Sequence, residues 1–195
     1  MVCDVAQAPM FESASHALHV SFLIHSLPPN IKSPTSVLVD ALMKSGDAWD
    51  GSATAPRARV NFSGLSPLEV RAQAALVVAM VGSLEHPAEA AVCKAMYGHQ
   101  VIKADGVRGL AQYVQPVLNG HPSLDYALYV VWWHFMTDRQ RKEVPLAVLA
   151  QKFKCTVQQV SADSAIVKRY MQALHARALD AVTVRFKKRG ILRDE

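Results

Sequence analysis

The sequence predicts an all-α protein: a helical bundle with a C-terminal helix-turn-helix and a long final helix. Hydrophobic residues make up 51% of the 195 residues, enough for a substantial core, and Gly occurs only 9 times. No run of strand length shows a clean alternation of apolar and polar residues, whereas helical spacing recurs. We divide the chain into an N-terminal helical region and linker (1–65), a central helical bundle (66–136) and a helix-turn-helix region with a basic tail (137–195).

Local start and stop signals justify the helices of the first two regions. Ser13 begins the first predicted helix, which a Pro-Pro pair ends after residue 27. Ser66, Pro67 and Glu69 form a capping box with a proline start, so an apolar and central helix follows them. The remaining predictions are helices over 33–44, 86–97, 107–118 and 123–136, a linker over 45–65, a glycine-bearing loop over 98–106 and a polar break over 137–142.

The C-terminal region contains the pattern of a helix-turn-helix. A short amphipathic helix over 145–153 is followed by Lys154, Cys155 and Thr156, and Thr156 is a good N-cap for a long second helix. In such a unit the second helix enters the major groove of DNA, and its N-terminal residues reach base edges. The apolar residues predicted to face the core are Leu146, Leu149, Phe153, Val157, Val160, Val167, Met171 and Leu174.

Two positions depart from that pattern. Lys154 occupies the turn position usually held by Gly, so it would have to adopt a left-handed or bridge conformation. Asp163 stands where an apolar residue is often expected. An ordinary helical hairpin is therefore the alternative interpretation of these residues.

Positive charge is concentrated in the C-terminal region. Residues 1–136 carry 8 basic and 10 acidic side chains, a net charge of −2, whereas residues 137–195 carry 13 basic and 6 acidic side chains, a net charge of +7. Lys and Arg that neutralise phosphates release condensed counterions, so a polyanionic partner explains the asymmetry. A solvated surface without a ligand is the other explanation.

The predicted second helix and its surroundings supply candidates for contacts to DNA. Gln can pair with adenine, and Ser or Thr can contact several bases. The base-contact candidates are Thr156, Gln158, Gln159, Ser161 and Ala165. The phosphate-contact candidates are Lys152, Lys154, Lys168, Arg169, Lys187, Lys188 and Arg189.

The sequence predicts no catalytic residues, no cofactor and no metal site. Gly-x-Ser-x-Gly, His-Glu-x-x-His and phosphate-loop motifs are absent, so we expect a protein that is not an enzyme. Cys3, Cys93 and Cys155 are isolated and are expected to be free thiols. His16 and His19 lie one helical turn apart, but no further ligand follows nearby, which favours ordinary histidines over a metal pair.

Hydropathy and the first residues bear on location. No apolar run reaches the roughly 18 residues that a membrane span needs. The N-terminal segment lacks the basic and apolar parts of a secretory signal. We therefore expect a cytoplasmic protein with no membrane partner.

Three segments carry a family resemblance: RAQAALVVAMVGSLEHPAEAAVCKAMYG (71–98), VPLAVLAQKFKCTVQQVSADSAIVKRYMQAL (144–174) and the upstream VNFSGL (60–65). They resemble segments of the late-gene antiterminators (Q proteins) of lambdoid phages. The helix-turn-helix is also similar to DNA-binding region 4 of bacterial sigma factors. Two features depart from the family: residues 99–143 intervene where compact antiterminators continue directly into the helix-turn-helix, and the zinc-binding cysteine motif of some members is absent.

The resemblance implies a role in transcription within a bacterial host cell. The protein would bind a DNA element near a phage late promoter, load onto RNA polymerase at a promoter-proximal pause and suppress terminators. The implied partners are double-stranded DNA, RNA polymerase and a sigma factor. The alternative is a helical protein-protein interaction module, a phage adaptor or inhibitor of a host protein, that uses the helix-turn-helix only as a scaffold. Asp163 and the sparse positive charge directly on the recognition face favour it. A stripe through Met171, Leu174, Ala178 and Val182 suits internal packing or a dimer seam, so a homo-oligomer stays open.

Overall fold

The computed structural model describes residues 10–27, 62 and 65–192, and these residues confirm the all-α prediction. They contain eight α-helices and one short 3-10 segment, and apart from an isolated bridge between Phe11 and Leu192 they contain no extended pairing. The helices are α1 (Ala14–Ser26), α2 (Pro67–Gly82), α3 (Pro87–Tyr97), α4 (Gln100–Val114), α5 (Leu124–Trp133), α6 (Asp138–Glu143), α7 (Leu146–Phe153) and α8 (Val157–Lys188). The helix predicted over 33–44, most of the linker over 45–65 and Cys3 lie outside the described residues.

The described residues group into two compact units. The first contains the described residues up to Leu84 together with those from Leu179 onward, and the second contains Glu85–Ala178. The long helix α8 therefore contributes its first part to the second unit and its last part to the first. None of the helices in the described part of the chain is long and apolar enough to cross a lipid bilayer.

In the first unit, α1 packs against α2, and both helices begin at the predicted caps. The Ser13 side chain accepts a hydrogen bond from the backbone N–H of His16 at 3.2 Å. Ser66 and Glu69 form the reciprocal capping box, in which the Ser66 backbone N–H donates to Glu69 Oε2 at 2.7 Å. Short-range side-chain chemistry thus sets both helix starts, because it satisfies backbone donors that have no partner within the helix.

The last part of α8 contacts the end of α2 in the first unit. The Arg185 guanidinium donates to the carbonyl oxygens of Met80 and Ser83 at 3.3 and 3.0 Å, and so satisfies acceptors at the end of α2. The helix ends at Lys188, and Gly190, two residues later, has a φ of 68°. The backbone N–H of Ile191 donates to the Phe186 carbonyl at 2.9 Å. The left-handed glycine and this hydrogen bond terminate α8 after its basic final turn.

In the second unit, a close approach of α3 and α4 corrects one prediction. A Cβ at Gly106 would overlap the backbone nitrogen of Ala95 and would lie 2.7 Å from the backbone oxygen of Ala91. The glycine therefore permits two helix backbones to approach each other and does not mark a loop. The predicted loop over 98–106 is wrong, since α4 begins at Gln100 and continues through this segment.

The predicted polar break over 137–142 is also wrong, because most of it forms α6. Thr137 accepts a hydrogen bond from the backbone N–H of Gln140 at 3.3 Å, and Gln140 Oε1 accepts from the Thr137 backbone N–H at 2.9 Å. This capping box stabilises a helix of six residues that lacks an apolar face. The polar composition misled the prediction, since capping rather than burial starts this helix.

Candidate nucleic-acid interface

The helix-turn-helix segment consists of α7, the turn residues Lys154, Cys155 and Thr156, and the first turns of α8. Lys154 has φ 54° and ψ 39°, the left-handed conformation that the sequence requires at this position. The backbone N–H of Cys155 donates to the Ala150 carbonyl at 3.0 Å, and that of Lys154 donates to the Gln151 carbonyl at 3.3 Å. These two bonds form the Schellman motif that ends a helix before a sharp turn.

The start of α8 is fixed by a second reciprocal pair. The backbone N–H of Gln159 donates to Thr156 Oγ1 at 3.2 Å, and the backbone N–H of Thr156 donates to Gln159 Oε1 at 2.8 Å. The predicted N-cap at Thr156 is thereby confirmed. The side-chain oxygen of Gln159 is occupied at the helix start, and this distinguishes Gln159 from its neighbour Gln158.

We expect Lys154→Gly to raise the free energy of unfolding by about 1 kcal/mol, because a side chain in the left-handed region costs that much and Gly adopts it freely. Urea unfolding of the full chain measures this change. The matched control is Gln151→Gly, which places the same residue in the exposed interior of α7 and should cost about 1 kcal/mol. Equal and unfavourable effects of both substitutions would contradict the account of the turn.

The Asp163 side chain cannot contact another molecule, because it is buried with an exposure of 0%. Its Oδ1 accepts the backbone N–H of Asn119 at 2.9 Å, and its Oδ2 accepts the backbone N–H of Gly120 and the hydroxyl of Tyr126, both at 2.7 Å. Three donors compensate the loss of water around the carboxylate. The departure at Asp163 is therefore an internal anchor of α8. It no longer favours the interaction module, whereas the sparse positive charge on the recognition face still does.

The segment that precedes α5 is built around this carboxylate. A Cβ at Gly120 would overlap the Tyr126 hydroxyl and would lie 2.8 Å from Asp163 Oδ2, so only Gly fits there. Burial raises the pKa of Tyr126, and its hydrogen bond to Asp163 raises it further. Residues between 99 and 143, which depart from the antiterminator pattern, thus hold the candidate recognition helix in place.

The surface of the helix-turn-helix segment and of the following turns of α8 is positive. Residues 144–178 contain five Lys and Arg residues and one carboxylate, and that carboxylate is the buried Asp163. Arg177 pairs with Glu89 of α3 at 3.0 Å. The other four cations, Lys152, Lys154, Lys168 and Arg169, are exposed. No carboxylate among the described residues forms an ion pair with any of these four.

Lys152 is held on an aromatic ring of the neighbouring helix α5. Its Nζ lies 3.7 Å from the ring centroid of Tyr129, a distance that suits a cation–π interaction. Of the aromatic residues of α5, Tyr126 is fully buried. Tyr129 and Trp132, however, are each 38% exposed. The sequence did not indicate this contact, because it joins two helices and follows no local pattern.

The predicted base-contact residues all lie at the surface of α8 and its cap. The exposed residues are Thr156, Gln158, Gln159, Ser161 and Ala165. Ala162 is exposed as well and was missed, since alanine gives no polar signal. Val157, predicted to face inward, is 47% exposed, and the buried face of α8 begins at Val160. Contacts of these residues with bases stay a prediction.

The basic tail belongs to the first unit, whereas the other phosphate-contact candidates belong to the second. Lys187 is half-buried, and Lys188 and Arg189 are exposed. All three lie at the end of α8, where cations interact favourably with the helix dipole without any ligand. Their contact with phosphate stays a prediction.

A cavity of about 170 Å³ lies in the second unit, lined by Met96, His134, Lys168, Met171, Gln172 and His175. One nitrogen of each imidazole is engaged: His175 Nε2 lies 2.8 Å from the Tyr97 hydroxyl, and His134 Nε2 lies 3.1 Å from Ser164 Oγ. Burial lowers the pKa of both histidines. These hydrogen bonds connect Tyr97 and His134 to α8.

Cys93 and Cys155 are free thiols, as predicted. Burial raises the pKa of Cys93 to about 12 and also raises the pKa of Cys155. A thiol with a raised pKa is a poor nucleophile near neutral pH.

No protein-family model and no curated protein matches this chain.

Proposed function

We propose that this protein is a sequence-specific DNA-binding transcription regulator that places the N-terminal turns of α8 in the major groove. One observation carries the proposal. Lys154 forms a left-handed turn between α7 and α8, and the only carboxylate of residues 144–178 is buried, which leaves these residues with a purely cationic and neutral surface. Phosphates attract such a surface, because none of the exposed side chains of residues 144–178 is a carboxylate.

The residues divide into three roles in this proposal. Lys154, Lys168 and Arg169 contact phosphates, and Lys152 does so from α7, the helix that crosses the backbone in such units. Gln158, Ser161 and Ala165 face base edges. Thr156 and Gln159 mainly cap α8, because their side chains bond each other at 3.1 Å.

We further infer that the protein is a phage antitermination factor that acts on RNA polymerase in the cytoplasm of a bacterial host. This inference rests on the resemblance of residues 71–98 and 144–174 to the Q proteins. Double-stranded DNA, RNA polymerase and a sigma factor are the partners that it implies. Transcription by bacterial RNA polymerase across a terminator, with and without the protein, tests it: increased read-through is the expected result, and unchanged termination on every promoter tried would contradict it.

The DNA-binding proposal predicts a salt-dependent affinity that falls when exposed cations are removed. We expect Lys168→Ala with Arg169→Ala to weaken binding to all duplexes and to reduce the slope of log affinity against log salt by roughly 2, since each phosphate contact contributes about 0.9. Retention of labelled duplexes at several salt concentrations measures the slope.

The control variant is Arg108→Ala, which removes a cation from α4 that already pairs with Asp105 at 3.1 Å. It should leave the slope unchanged. If the full chain retains no duplex in a salt-dependent manner, or if Arg108→Ala acts as strongly as the double variant, the proposal is overturned. Recovery of one host protein without nucleic acid would then favour the interaction module.

A further inference from the structure

The first turns of α8 contain no residue of the types that most often contact guanine. Residues 157–167, its first three turns, include neither Lys nor Arg, and the first cation of the helix is Lys168. Contacts from Arg or Lys to O6 and N7 of guanine are the commonest specific contacts in the major groove. The nearest cation before the helix, Lys154, lies in the turn. The first turns of α8 therefore lack the usual means of reading G·C pairs.

The two adjacent glutamines differ in what their amides can do. Gln159 Oε1 already accepts hydrogen bonds from the backbone N–H and the hydroxyl of Thr156, at 2.8 and 3.1 Å. Gln158 is exposed, and none of the hydrogen bonds within the described residues uses its side chain. A bidentate contact to adenine N6 and N7 needs both the oxygen and the nitrogen of the amide. Of the two glutamines, only Gln158 has both its amide oxygen and its amide nitrogen available.

Two alanines continue the face that Gln158 begins. Ala162 and Ala165 follow it by four and seven residues, so the three side chains share one side of the helix, and all are exposed. Alanine methyl groups can contact the C5-methyl group of thymine. At 1.5 Å per residue, the distance from Gln158 to Ala165 is roughly 10 Å, which matches about three base pairs.

We propose that α8 reads about three consecutive A·T base pairs in the major groove, with Gln158 on adenine and Ala162 and Ala165 against thymine methyl groups. The inference rests on the proposed DNA-binding function and specifies the sequence class that this site takes. The Gln158 amide and the two methyl groups then carry the preference for A·T pairs. The Ser161 hydroxyl, which can contact several bases, adds no preference of its own. The flanking cations provide affinity without sequence information.

Selection of bound duplexes from a random pool by the full-length protein tests the inference. We expect a core of A·T pairs. Gln158→Ala should reduce the preference for adenine at one position of that core by about 5- to 150-fold, the range of one bidentate contact. Gln159→Ala is the matched control: it should leave the selected sequence unchanged and lower only the thermal stability, because it removes a helix cap.

A chemical substitution in the DNA tests the methyl contacts directly. Replacing thymine by uracil within the selected core removes one methyl group and should weaken binding by roughly fourfold for each contacted methyl. The same replacement in the flanks should have no effect. A selected core of G·C pairs, loss of the same base with Gln159→Ala as with Gln158→Ala, or equal affinity for thymine and uracil cores would each overturn this inference while leaving the DNA-binding function in place. Failure to retain any duplex would instead overturn both.

Discussion

Asp163→Ala is expected to lower the free energy of unfolding by about 3 to 5 kcal/mol, a large fraction of the stability of an ordinary domain. The substitution leaves the backbone N–H groups of Asn119 and Gly120 and the hydroxyl of Tyr126 without their acceptor in a buried site. A buried donor without a partner costs about 1 to 3 kcal/mol. Urea unfolding measures the loss. The urea concentration at the midpoint should fall, while the m-value, the slope of the unfolding free energy against urea concentration, should stay unchanged.

The matched control is Asp180→Ala, which removes an exposed carboxylate from the same helix. It should change stability by no more than about 0.5 kcal/mol. In a double-mutant cycle, the loss of unfolding free energy in the Asp163→Ala, Tyr126→Phe double variant should be smaller than the sum of the losses in the two single variants. Both substitutions remove the same hydrogen bond. Strict additivity, or a small effect of Asp163→Ala, would show that Asp163 does not anchor α8.

The same network predicts a dependence on alkaline pH. The pKa of Tyr126 is raised in the folded protein, first by burial and then by its hydrogen bond to Asp163. The folded state therefore binds the phenolic proton more tightly than the unfolded state, whose tyrosine titrates near pH 10. This contribution to stability is fully present below about pH 10 and is lost as the pH rises further. Tyr126→Phe should lack this alkaline loss in unfolding experiments.

Gly106→Ala is expected to lower the free energy of unfolding by about 2 to 3 kcal/mol, the upper part of the range for overpacking. The added methyl group would overlap the Ala95 nitrogen and meet the Ala91 oxygen at 2.7 Å, and both are backbone atoms. The two helices would have to move apart, since no side chain can rotate away. The helix propensity of Ala recovers only about 1 kcal/mol of this cost.

Two other glycines in helices serve as controls for this substitution. A Cβ at Gly109 would meet only the Ala91 side chain at 3.0 Å, and one at Gly82 would meet nothing within 4 Å. Thermal unfolding of the three Gly→Ala variants should therefore rank Gly106 as the most destabilised and Gly82 as the least. If the three variants have similar melting temperatures, the close approach of α3 and α4 does not restrict position 106 to glycine.

The sequence alone determined the elements that begin or end through nearby residues. Ser13, Ser66 and Thr156 start helices because their side chains bond backbone groups three residues away. Lys154 takes the left-handed conformation because α7 has to end sharply before α8 begins. Such signals span a few residues, so a linear pattern contains them completely.

Only the tertiary structure decided what the exceptional residues do. The partners of Asp163 lie 37 to 44 residues away along the chain, and Gly106 is explained by a helix that ends before it. Neither of these long-range contacts leaves a periodic or local signal in the sequence, because each contact depends on which helices meet after folding. An aspartate that the sequence presented as a departure is a buried anchor, and its burial makes the candidate DNA surface positive. Long-range hydrogen bonds and close backbone contacts set these roles, whereas local capping set the helices.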